Sequence, residues 1–323
     1  MRNRMAILRS PPAALFSKAA KFIWAGHILV ALTALVPGPL LAQATPPASE
    51  IFQARIDDAI RILATEPRFQ GLSPQKRRAV VEFVVGNMLF VMAHELGHAV
   101  MGEMEMPVLG REEDAADTFA ILNALRLANN FSHRVIVEAA KGWFLSARRD
   151  KKEGNLPDYY GKHGLDEQRA YQIVCLMVGS DPLKFRDLAD EMKLPMDRQK
   201  SCQGDYRNAA WSWETLLMPH RRSADQPRQT IEGIYSQGDG RLDVYARLFR
   251  GLRFLETVAE NAADRFVWPR SFAIEMRSCR AVGARWDGES RRIELCYEIA
   301  EEFAQVYLDF GQDQKRSKPK RKH

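Results

Sequence analysis

A mainly α-helical α+β protein with a small antiparallel sheet is the fold that the sequence predicts. Long stretches carry apolar residues at helical spacing, helix-start and helix-stop residues separate them, and only two short segments, both late in the chain, alternate like strands. The 323 residues are 46% apolar and 27% charged, which suits a packed core. That balance excludes a collagen-like, coiled-coil or wholly disordered chain.

Residues 1–44 read as an export signal. Basic residues precede an apolar run from Phe22 that Pro37 and Pro39 interrupt, and Ala42-Gln43-Ala44 supplies the small residues of a cleavage site. The unbroken apolar run is about 15 residues, short of the roughly 20 that a spanning helix needs. Cleavage is therefore favoured over a retained anchor, and the mature chain is expected in the periplasm or outside the cell. No cysteine stands directly after the cleavage site, which argues against a lipid anchor, and no later segment reads as apolar enough to span a bilayer.

After Thr45-Pro46-Pro47, Ser49 heads a helix with Phe52, Ile56, Ile60 and Leu63 on one face. Ser73-Pro74 is a start signal, an N-cap hydroxyl followed by proline at the first helical position. The helix it opens runs to about Met104 and is apolar on most of its circumference, so it belongs in the middle of the domain; Gly86-Asn87 is a place where it could kink. Its methionines, Met88, Met92, Met101 and Met104, with Met106 beyond, read as packing. Further helices are expected over residues 111–128, 134–146, 167–177, 182–192, 242–260 and 297–308, with strands over 272–276 and 292–295. Residues 45–230 are read as the region that carries chemistry, 231–314 as a helical and short-stranded continuation of the same domain, and 315–323 as a disordered basic tail.

The net charge of +6 resides at the ends. Residues 1–44 hold five basic side chains and 315–323 hold six, neither with an acid, so the body carries 36 bases against 41 acids. A mildly acidic body is a poor polyphosphate binder, so no nucleic-acid partner is expected. Membrane contact is expected only through the export segment or a weak touch of the tail on anionic lipid. The four cysteines, Cys175, Cys202, Cys279 and Cys296, suit two bridges in an oxidising compartment. Proximity in sequence favours Cys175–Cys202 and Cys279–Cys296, one of three pairings, with four buried thiols as the alternative.

The sharpest signal is His94-Glu95-Leu96-Gly97-His98. Residues four apart share a helix face, so both imidazoles reach one ion, while Glu95 can address water beside it as general base. Two hydrogen-bonded core histidines are the alternative. A catalytic zinc needs a third ligand. The positions three and six past His98 are Met101 and Met104, so the ligand comes from further on. In Arg111-Glu112-Glu113-Asp114-Ala115-Ala116-Asp117, Glu113 and Asp117 lie four apart with small alanines between them, which would let this helix pack close to the first. In the favoured arrangement Glu113 binds the ion and Asp117 accepts a hydrogen bond from the outer nitrogen of a ligating histidine. Asp114 or Glu112 could replace Glu113, or the acids could merely complement the helix dipole. For the oxyanion that peptide hydrolysis develops, candidate donors are His163, Tyr159, Tyr160, Arg169 and His220, with His163 in the best polar cluster beside Asp166 and Arg169. Trp211 and Trp213 read as core.

These motifs resemble a bacterial family classed as metallopeptidases by motif and of otherwise unknown function, which groups loosely with the glutamate-ligand zincins that carry HExxH and a downstream ExxxD. The likeness extends through His163-Gly164-Leu165-Asp166-Glu167-Gln168-Arg169, Ile173-Val174-Cys175-Leu176, Asp181-Pro182, Trp213-Glu214, Pro219-His220 and Cys296-Tyr297-Glu298. It implies a zincin-like core, one catalytic zinc held by His94, His98 and Glu113, and hydrolysis of a peptide or protein substrate with Glu95 as base. In zincins a sheet edge aligns the peptide as an added strand. A zinc-stabilised envelope scaffold without turnover and a cell-wall amide hydrolase are the competing functions.

Overall fold

The protein is represented by a computed structural model, which describes residues 48–127 and 129–311. The expected export segment over 1–44 and the basic tail over 315–323 lie outside the described residues. Eight helices come first: α1 (Ala48–Leu63), α2 (Pro67–Gln70), α3 (Pro74–Glu103), α4 (Glu112–Leu127), α5 (Asn130–Glu153), α6 (Asp166–Ser180), α7 (Pro182–Glu191) and α8 (Met196–Leu217). Then follow β1 (Ile231–Tyr235), α9 (Asp243–Leu252), α10 (Phe254–Arg265), β2 (Phe272–Arg277), β3 (Ala284–Asp287), β4 (Arg292–Cys296) and α11 (Tyr297–Phe310). The fold class is mainly α with a small sheet, as the periodicity implies.

Helix α3 is the axis. The Ser73 hydroxyl accepts the Lys76 backbone N–H at 3.3 Å, with Pro74 in the first turn, as the start signal requires. Two hydrophobic clusters explain its all-round apolarity. Val81, Val84, Met88, Met92 and Val100 face a core shared with α1, α9, α10, α11 and the sheet, while Phe90 joins a second core with α4, α5, α6, α7 and α8. By length and composition α3 is apolar enough to cross a membrane, which corrects the expectation that no such segment follows residue 44, yet most of that stretch is buried under neighbouring elements. Gly86-Asn87 does not break it. The Asn87 amide donates to the carbonyls of Phe83 and Glu138 at 2.9 and 3.0 Å, tying α3 to α5, and a Cβ at Gly142 on α5 would overlap that amide.

The sheet is mixed rather than antiparallel. Its order is β1-β2-β4-β3, with β1–β2 and β2–β4 parallel and only β3–β4 antiparallel. The reason is connectivity. A crossover through α9 and α10 returns the chain parallel to β1, and β3 reverses direction before β4, so β4 runs with β2. Strands β1 and β3 escape the sequence pattern, being five and four residues long with little alternation. Helix α8 also escapes it, because its 22 residues bury only Gln199, Cys202, Trp213 and Leu217. Trp211 on the same helix is exposed, against the expectation of a core residue. The helix expected over 242–260 is two helices, because Arg253 adopts a left-handed conformation at φ 52° between them. Both cysteine bridges form as sequence proximity favours, Cys175–Cys202 and Cys279–Cys296. The first ties α8 to α6; the second ties the segment after β2 to the end of β4.

Candidate metal centre

The motif occupies the C-terminal half of α3, where α4 crosses it closely. A Cβ on Gly97 would stand 3.1 Å from the Ala116 Cα, so glycine on one helix and alanine on the other set how near the acids of α4 come to the imidazoles. His94 is 4% exposed and Glu95 7%. The Nε2 atoms of His94 and His98 lie 3.1 Å apart, and Glu113 Oε2 is 3.1 Å from the first and 3.3 Å from the second. Two donors held at about 2.0–2.1 Å from one tetrahedral ion stand about 3.3 Å apart, so this triangle has the size of one face of such a site.

The outer nitrogens are committed elsewhere. His94 Nδ1–H donates to Asp117 Oδ1 at 2.7 Å, and His98 Nδ1–H donates to Glu112 Oε1 at 2.7 Å. With the outer nitrogens so held, the two Nε2 atoms and the carboxylate share a proton on His94 in the metal-free protein, and a divalent cation can take the place of that proton. His94, His98 and Glu113 therefore fit a metal ion. The three acids that open α4 divide their work: Glu113 faces the Nε2 atoms, Glu112 takes the outer face of His98, and Asp114 pairs with Arg111 at 2.9 Å.

Asp117 is the hinge of a longer chain of contacts. It is 2% exposed, and Arg169 of α6 grips it with Nε and Nη2, both at 2.7 Å. The guanidinium lies 3.6 Å over the Trp143 ring. Arg169, a candidate oxyanion donor from the sequence, is thus consumed as Asp117's counter-ion. Burial opposes ionisation of Asp117, yet the hydrogen bonds from His94 and Arg169 prevail and hold its carboxyl down at about 2. For His94 burial likewise opposes the charge, and Asp117 and Glu113 outweigh it, lifting the imidazole to about 9. The His94 hydrogen bond, with His163 and His98 nearby, lowers Glu113 to about 2. Burial raises Glu95 above the usual carboxylate range.

Glu95 receives the backbone N–H of Trp286, in β3. No local pattern in the sequence points to that strand, because its four residues include two charged ones and it pairs far along the chain. The cleft beside Glu95 holds about 640 Å³ and is lined by His98, Glu112, Glu113, His163 and residues 284–286, among others. His163 enters it from the connection between α5 and α6, with Nε2 at 2.8 Å from Glu113 Oε2. Tyr159 and Tyr160, on the same connection, are exposed outside the lining, and His220 follows α8, away from the cleft.

Gly97→Val is expected to push α4 from α3, weakening metal affinity by tenfold or more and costing about 1–3 kcal/mol in overpacking. Competition with a chromophoric chelator and thermal unfolding would check both effects.

No curated protein and no solved structure matches the chain. Residues 61–217 match the model of the DUF4344 family, described as "putative metallopeptidase". The matched segment contains His94, Glu95, His98, Glu113, Asp117 and His163, and over it the chain is similar to a metallopeptidase family.

Proposed function

We propose that the protein is an exported zinc-dependent peptidase that cleaves peptide bonds, with Glu95 as general base. The convergence of His94 Nε2, His98 Nε2 and Glu113 Oε2 beside a buried glutamate that is not itself a ligand carries this reading. A donor set of two imidazoles and one carboxylate suits zinc, and when bound the ion would acidify water and polarise the scissile carbonyl. The two disulfides support an oxidising compartment.

Glu95 takes a proton from water and delivers it to the leaving amine. Its raised proton affinity, caused first by burial, suits a base that must also act as acid. The Trp286 N–H fixes its orientation. Asp117 and Glu112 hold the two histidines in the tautomer that turns Nε2 inward. His163 stands at the mouth of the cleft. Burial is the chief cause that lowers its pKa; the N–H of the neutral ring donates to Glu113 here and would serve the oxyanion once Glu113 is engaged by an ion. Strand β3 is a sheet edge, paired only with β4. The Trp286 N–H faces away from β4 and is spent on Glu95; by strand alternation Ala284 also faces away from β4, and its backbone groups remain for an extended peptide.

Metal content and peptidase activity of the mature protein, measured before and after chelation, test the proposal. One zinc per chain, loss of turnover on its removal and recovery on its return are the expected result. Turnover that persists without metal, or protein purified without chelators that holds none, overturns it.

A further inference from the structure

Resting on that peptidase reading, we infer that a second pocket beside Glu95 selects a lysine or arginine side chain on the substrate residue adjoining the cleaved bond, with Asp166 as its counter-charge. This pocket, about 320 Å³, shares Glu95, His163 and Ala284 with the cleft, so whatever fills it is next to the reacting atoms. Phe90, Trp143 and Phe303 give it apolar walls, against which the methylene stem of a long basic side chain packs while its head meets the polar residues of the lining.

The charges on the lining decide the sign. Two arginines line the pocket, and both are already neutralised. Arg149 Nη1 bonds Glu302 at 2.6 Å, and Arg169 is held by Asp117 through two nitrogens with its face on Trp143. Asp166, in the first turn of α6, has no ion-pair partner among the described residues. An acidic substrate side chain would meet Asp166 and Glu95 with no unpaired cation to receive it. An apolar one would strip water from Asp166 without replacement. Burial pushes the Asp166 carboxyl up to about 6 even against the pull of the nearby Arg169 and Arg149, a penalty that an entering ammonium or guanidinium relieves. Glu167, the next residue, is exposed and complements the same helix N-terminus from outside, so the helix dipole does not explain a second acid on the pocket lining.

The experiment uses the zinc-loaded mature protein and peptides that differ only in carrying Lys, Arg, Met or Glu at each position flanking the cleaved bond. At one of those positions Lys and Arg peptides are expected to exceed Met in kcat/KM by about tenfold or more, as for a hydrogen bond to a charged group. In Asp166→Asn that ratio falls towards one, in Asp166→Glu it is retained, and in Asp166→Lys it turns in favour of Glu. No preference in the wild type, or a ratio unmoved in Asp166→Asn, overturns the inference. Cleavage of none of the peptides overturns the peptidase reading instead. The pocket is then judged by titrating the same peptides into zinc-loaded Glu95→Gln. Tighter binding of the Lys peptide that Asp166→Asn abolishes upholds the pocket, and equal binding overturns it.

Discussion

Glu95→Gln is expected to lower kcat by about 100- to 10,000-fold while leaving metal content and melting temperature close to those of the wild type. The amide keeps the size of the side chain and can still meet the Trp286 N–H through its oxygen, but it cannot accept a proton. Because burial raises the Glu95 pKa, the acid limb of the wild-type kcat/KM profile is expected above the usual carboxylate range. Steady-state kinetics with metal analysis on the same samples checks this. A variant that keeps its turnover would remove Glu95 from the chemistry and favour a metal-stabilised scaffold.

The largest stability effect is expected at Asp117. Asp117→Ala strands Arg169, which is buried at 8% exposure between α4, α6 and the Trp143 ring, without its counter-charge. Breaking one side of a buried pair costs about 3–5 kcal/mol. The same substitution frees the outer nitrogen of His94, and loss of such a partner weakens metal binding about 10- to 100-fold. Urea unfolding of the metal-free protein and competitive metal titration separate the two losses; an Asp117→Ala protein as stable as the wild type would contradict the argument. The pH dependence of the metal-free protein follows from the same contacts. Asp117, depressed to about 2, contributes stability that is full above its ordinary 3.8 and is lost as pH falls towards 2. His94, raised to about 9, contributes stability that is full below its ordinary 6.5 and is lost as pH rises through 9. Both contributions are therefore complete between pH 3.8 and 6.5.

The imidazole pair and Glu95 were legible because their geometry is local: four residues on one helix fix a face, whatever packs against it. The choice among Glu112, Glu113 and Asp114 was not, since consecutive helical residues point about 100° apart and only the crossing of α3 and α4 decides which one meets the Nε2 atoms. Long-range partners left no mark at all. Trp286 reaches Glu95 from a four-residue edge strand, and Arg169 looks in sequence like a free donor until Asp117 takes its guanidinium. Strand direction was equally hidden, because alternation announces a strand without saying how it pairs. The two disulfides could be read because each joins cysteines close in sequence, separated by 27 and 17 residues.

His94, His98 and Glu113 all precede residue 114, whereas the backbone amide that steadies Glu95 belongs to residue 286. A chain that threads out of a narrow channel amino end first thus delivers its whole donor set long before the brace exists. Yet α3 takes much of its core from α9, α10, α11 and the sheet, so the donors delivered early are set in place only when the last elements have packed, at the same moment as the brace.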